Sequence, residues 1–117
     1  MNKEDLREYC IGLKGVTEHF PFDDVSLVFK VQGKMFALLP LDEADTCISL
    51  KCDPEKAIEL REEFNDVRPA YHFNKKHWNT VYTETGIPIT LIKAWIKHSY
   101  DLVVAKLSKK LREDLNV

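Results

Sequence analysis

The sequence predicts an α+β fold in two layers, an antiparallel sheet of about five strands with helices packed on it, in the order α-β-β-β-α-β-β-α. Three observations predict it. Apolar residues recur at helical spacing in three separate stretches. Between those stretches lie short runs rich in β-branched and aromatic residues, two of them joined across a glycine. The connections between the runs are too short for parallel crossovers, so neighbouring strands must run antiparallel.

The first helix covers about residues 3 to 14. Asn2 caps it, with Asp5 at the capping-box position. Leu6, Tyr9, Cys10 and Leu13 form one apolar stripe, and Gly15 supplies a left-handed stop. Ser26 to Val31 and Lys34 to Leu39 are strands joined by Gln32-Gly33, a tight hairpin in which glycine permits positive φ. Thr46 to Cys52 alternates, with Ile48, Leu50 and Cys52 on one face and Cys47, Ser49 and Lys51 on a wet one. Asp53-Pro54 opens the second helix as N-cap and N1. Its buried stripe is Ala57, Leu60 and Phe64, supported by Ile58. Val67 to Phe73 and Trp78 to Thr83 form a second hairpin around Asn74-Lys75-Lys76-His77, and Pro69 puts the first of these strands at an edge or bulge. The last helix runs from about Thr90 to Lys106 and continues past Ser108. Its apolar set is Leu91, Ile92, Trp95, Ile96, Ser99, Leu102 and Val103.

The chain has 117 residues, which favours one domain, 1–117, with one substantial core. Hydrophobic residues make up 44% and charged residues 31%, a balance that argues against disorder. No apolar run is long enough for a transmembrane helix, and Met1 to Glu8 lacks the pattern of a signal peptide. Cys10, Cys47 and Cys52 have no CxxC spacing, which points to reduced thiols in a cytoplasm. The net charge of −2 gives no global attraction to nucleic acid, so any such binding needs a local patch.

The stretch YHFNKKHWNTVY, 71–82, concentrates the candidate chemistry. His72 and His77, even with Cys47 or Cys52, lack the spacing of a zinc site, and no metal or cofactor is expected. No GxSxG, Walker or HExxH motif is present and no nucleophile–base–orienter set is visible, so the chain is not expected to be an enzyme. Cys47 becomes a reactive thiol only if a histidine lies beside it. The case for nucleic acid is a β-ribbon with cations at its tip. Arg68, Lys75 and Lys76 meet phosphates, Tyr71 and Trp78 interleave aromatic faces, and Asn74 and Asn79 reach base edges. His72 and His77 belong to the same wet, cationic part, and Lys106, Lys109, Lys110 and Arg112 add a second basic stretch. Asn74 also shapes the turn, whereas Trp78 and Tyr82 lean on the sheet. Ser99 packs the last helix closely on the sheet, Tyr100 is core, and Asp101 is a surface pair.

The segments GVTEHFPF (15–22), LVFKVQGKMFALL (27–39), ISLKC (48–52), DVRPAYHFNKKHWNTVY (66–82) and SYDLVVAKL (99–107) resemble, in order, the signatures of the MmcQ/YjbR-like family. The resemblance spans nearly the whole chain, and 66–82 is its most specific part. Its pattern falls on Pro69, His72, Asn74, Lys75, His77, Trp78, Thr80 and Val81. It departs at Ala70 and Asp23, where the family often has glycine. The resemblance implies a bacterial, cytosolic α+β protein similar to type III secretion chaperones, with a DNA-binding role by analogy to a double-wing domain. The leading expectation is therefore a non-enzymatic DNA-binding protein using residues 66–83 as a wing. The alternative is a protein-interaction module, monomeric or homodimeric, that engages a partner through an exposed sheet face or edge. A third is a small-molecule or redox protein acting through Cys47. None involves a membrane.

Overall fold

A computed structural model describes residues 1–115. The first helix, α1 (Lys3–Gly12), starts at the expected capping box. Asn2 Oδ1 accepts from the Asp5 amide at 2.8 Å and Asp5 Oδ2 from the Asn2 amide at 3.0 Å. Leu6 and Cys10 are fully buried. The helix ends at Gly12, earlier than expected. Gly15, with φ +74°, turns the chain into a four-residue strand, β1 (Val16–His19), which no apolar run had signalled.

β2 (Ser26–Val31) and β3 (Lys34–Pro40) form the expected hairpin. Both turn residues have positive φ, Gln32 at +49° and Gly33 at +78°, the combination that matches the natural twist of paired strands. β4 (Cys47–Lys51) follows, then α2 (Pro54–Glu63), capped by Asp53 with Pro54 in its first turn. Ala57 and Leu60 are buried on α2 as expected, but Ile58 is half exposed and does not support that stripe. β5 (Val67–Pro69) and β6 (Trp78–Tyr82) complete the sheet. α3 (Ile89–Ala105) breaks before Ser108, and a separate short helix, α4 (Lys109–Leu115), takes over.

The sheet has six antiparallel strands in the order β1-β2-β3-β4-β6-β5, one more than expected. Pro69 lies on the edge strand, where its missing N–H costs nothing. The helices gather on one face. There Phe29, Phe36, Leu39 and Ile48 of the strands meet Leu6 of α1 and Ile92 and Ile96 of α3, all fully buried. Leu91, expected in this stripe, is 36% exposed.

β3 and β4 pair only at Ala37–Leu50 and Leu38–Ser49. Ser99 of α3 spans the place where they part. Its hydroxyl donates to the Phe36 carbonyl at 2.6 Å and accepts from the Lys51 amide at 2.9 Å. Two buried backbone groups without a strand partner are thereby satisfied by one small side chain. The close packing expected of Ser99 is therefore also a hydrogen-bonded bridge. Next to it Tyr100 sets its ring edge-on to Phe36 at 5.6 Å and donates to the Lys14 carbonyl at 2.6 Å.

Candidate functional site: a groove on the open face and a charge-sorted sheet

The second hairpin departs from its expected form. β5 pairs with β6 only at Val67–Val81, Arg68–Thr80 and Pro69–Asn79. Residues 70–77 then form a folded loop instead of a projecting ribbon. The Ala70 amide still bonds the Trp78 carbonyl at 3.2 Å, and Phe73 stacks on buried Trp78 with ring centroids 4.6 Å apart. Trp78 thus packs within its own loop and stands apart from the main core. Asn74 shapes the turn as expected, its Oδ1 accepting from the Lys76 amide at 2.9 Å. Arg61 of α2 donates to the Lys75 carbonyl, and the His77 carbonyl accepts from the Cys52 amide, so the loop is tied to both α2 and β4.

The residues expected to meet nucleic acid part company. Lys75 and Lys76 stay exposed at the loop tip, the first with its ammonium 5.1 Å from the Tyr71 ring centre. Asn74 is exposed beside them, and His77 is half buried where the loop joins β4. Arg68 and His72 turn toward the open face of the sheet. Asn79 is a correction, because alternation along β6 carries it to the helix face. It is 2% exposed there, with Nδ2 donating to the Ala57 carbonyl at 3.2 Å, and it reaches no base edge. Val81 on the same face is core, whereas Thr80 bonds Ser49 across the strands at 2.9 Å on the other.

That other face carries a groove of about 640 Å³, within the range of small-molecule sites. Its floor is the row Ser49, Thr80, Cys47, Tyr82 and Leu38, and its walls are the 70–73 loop, Phe22 and Asp23 before β2, and Asp42 and Glu43 before β4. The wet face expected for β4 is therefore largely closed, with Cys47 only 6% and Ser49 7% exposed. Burial first, then the nearby Glu43 carboxylate, pushes the Cys47 thiol up to about 11, the opposite of what a nucleophilic thiol needs. Arg68 lies over the Tyr82 ring, 4.7 Å from its centre, and makes no ion pair among the described residues. Asp23 is spent on its own loop, its carboxylate accepting from the Val25 and Ser26 amides, which holds its pKa below the ordinary value. Among the described residues no cluster of three or more His, Cys, Asp or Glu side chains is placed to hold a metal ion.

Because neighbouring strands alternate in direction, the connections fall alternately at two ends of the sheet. One end collects Asp23, Asp24, Asp42, Glu43, Asp45 and Glu84 in segments 20–25, 41–46 and 83–88, joined there by two cations, the Met1 ammonium on the Thr83 carbonyl and Lys3 on the Glu43 carbonyl. The other end collects Lys75 and Lys76, Lys106 beyond α3, and Lys109, Lys110 and Arg112 of α4, which also carries Glu113 and Asp114. α4 is seated at that end by Gln32, whose amide donates to the Leu111 carbonyl at 2.9 Å. Burial, and to a lesser degree nearby Lys106, lowers the Lys51 pKa there. Periodicity and composition carried no sign of this sorting; strand order creates it.

These features define a class, an α+β protein whose single antiparallel sheet is covered by helices on one face and open on the other. A sequence profile described as YjbR matches residues 11–102. The chain is 34% identical over 113 residues to the Escherichia coli K12 protein named "Uncharacterized protein YjbR", covering 97% of this chain and 96% of that one. It is 35% identical over 114 residues to YbdF of Escherichia coli O157:H7, covering 94% and 93%. A crystal structure of the Deinococcus radiodurans protein DR2400, domain DUF419, superposes with a TM-score of 0.92 at 39% identity, covering 99% of this chain and 88% of that one. A Pseudomonas syringae protein superposes with a TM-score of 0.76 at 28% identity, covering 87% and 98%. The chain belongs to the YjbR family, as its motifs suggested. These relatives carry no enzymatic name. Among the described residues no helix is long and apolar enough to cross a membrane.

Proposed function

We propose that this chain is a non-enzymatic, cytoplasmic DNA-binding protein of one domain, and that it meets the phosphate backbone with the basic end of its sheet. The observation that supports this reading is the charge sorting. Lys75, Lys76, Lys106, Lys109 and Lys110 share one end, where Glu113 offsets Lys109 at 4.0 Å, and the acidic loop segments lie at the other. Between the 70–77 loop and the Gln32-Gly33 turn lie three inter-strand spacings, about 14 Å, or roughly four phosphate steps along one DNA strand. Arg68, His72 and Asn79 have no part in this contact, and Asn74 is occupied in its turn. Binding of this kind is dominated by phosphate contacts and carries little direct base readout. The acidic end repels the duplex and so fixes which way the protein faces it.

The test is fluorescence anisotropy with a labelled duplex of about 20 base pairs over about 50 to 200 mM salt. With five lysines engaged, the log–log slope is expected near −4.5, about −0.9 per neutralised phosphate. The double variant Lys75→Ala/Lys76→Ala flattens it by about 1.8. No binding at the lowest salt, or an unchanged slope in the double variant, overturns the reading.

A further inference from the structure

The groove on the open face shares the 70–77 loop with the basic end, but the side chains that line it are not among those proposed to meet DNA. Its charge is arranged in two poles. On the β5 side stands Arg68, its guanidinium laid on Tyr82 and without a carboxylate partner among the described residues, with exposed His72 beside it. On the opposite side stand Asp42 and Glu43, neither in an ion pair among the described residues. The Lys3 ammonium bonds the Glu43 backbone carbonyl at 2.9 Å and so steadies that loop. Between the poles the floor is neutral and partly apolar, and Phe22 and Tyr71 stand at the rim 66% and 72% exposed. A single solvated aromatic is ordinary, but two of them flanking one cavity resemble an unfilled ligand site.

We infer that this groove binds a small zwitterion of dipeptide size, with its carboxylate at Arg68, its ammonium at Asp42 and Glu43, and an aromatic side chain against Phe22 and Tyr71. Size and charge both favour it. From β5 to β3 is three inter-strand spacings, about 14 Å between backbones before side chains narrow the gap. An extended dipeptide spans about 7 Å, leaving room for one side chain's reach at each end. A purely anionic ligand meets repulsion from three carboxylates, Asp23, Asp42 and Glu43, and a purely cationic one meets repulsion from Arg68. An arginine suits a carboxylate because its planar fork offers paired donors. The thiol of Cys47 in the floor stays protonated and serves as a neutral surface.

The experiment is a chemical-shift titration of the whole chain with three probes: alanyl-phenylalanine, its N-acetyl form with only the carboxylate, and its C-terminal amide with only the ammonium. The zwitterion is expected to shift amides at 42–43, 68–73 and 80–82 saturably, and each single-charge probe to bind about tenfold more weakly. Arg68→Met weakens the zwitterion and the N-acetyl form and leaves the amide form unchanged. Asp42→Asn with Glu43→Gln does the reverse. Unchanged thermal melting of these variants, all altered at exposed positions, separates a lost contact from a lost fold. No saturable shift in the unaltered chain overturns the inference, and so does equal affinity for all three probes. DNA anisotropy is unaffected by Arg68→Met if both readings hold, so failure of one leaves the other standing.

Discussion

Along β6, two faces of one strand do different work. Val81 belongs to the helix-covered core and Asn79 is sealed beneath α2, while Thr80 and Tyr82, one residue away in each case, line the open groove. The covered face is packed with fully buried large side chains and satisfies two unpaired strand backbone groups through Ser99. The groove face is built from hydroxyls, a thiol and one arginine–tyrosine stack, and keeps a cavity. Stability is concentrated on the first face, and the chemistry available to a partner lies on the second.

The contrast is sharpest in large-to-small substitutions. Phe36→Ala on the covered face is expected to cost about 3–5 kcal/mol in urea unfolding, whereas Thr80→Ala on the groove face costs about 1 kcal/mol. Similar losses at both positions would break the division. Ser99→Ala comes next, at about 2 kcal/mol, because it strands the Phe36 carbonyl and the Lys51 amide. Faster hydrogen exchange at the Lys51 amide reports it directly. The thiols give a pH test of the same contrast. Burial raises Cys10 on the covered face to about 12 and, together with Glu43, Cys47 on the groove face to about 11, against an ordinary 9.0. The unfolded chain loses these protons first, so stability is full below about pH 9 and falls as pH rises toward the folded values. Cys10 alone contributes a loss of about 1–2 kcal/mol by pH 10, read as a shift in the urea midpoint. A thiol reagent reaches Cys47, in the groove, before Cys10, and both react more slowly than a free peptide thiol. Least of all, Lys76→Ala changes stability by less than about 0.5 kcal/mol, since its side chain is solvated.

Much of the covered face was legible in the sequence because it repeats. The stripe Leu6, Tyr9, Cys10, Leu13 and the alternation Ile48, Leu50, Cys52 each make a period, and the Asn2–Asp5 box and Asp53-Pro54 mark where helices begin. The groove had no period to show. Its walls come from three connections far apart in the chain, and Cys47 passed for a wet residue because closure by those connections is a tertiary fact. β1 was missed because Val-Thr-Glu-His is four residues with half-buried and exposed positions alternating and no apolar run. The 66–82 block was rightly singled out as paired strands around an Asn74 turn, but its length was misjudged. Pro69 ends the ladder, and Phe73 turns inward onto Trp78 where a ribbon would have continued. Asn79 was assigned outward because the alternation was not anchored to a core neighbour; Val81 supplies that anchor.

The docking of α4 has a further consequence. Gln32 fills a turn position where asparagine is usual, and its longer side chain reaches the Leu111 carbonyl; Leu115 lies against Gly15, where any β-carbon would collide with it. Half of the basic end therefore rides on a two-turn helix moored at a hairpin tip and a glycine. Because Leu115 also belongs to the core cluster, the position of these cations is tied to the packing of the core, and the charge at this end cannot shift without disturbing the interior.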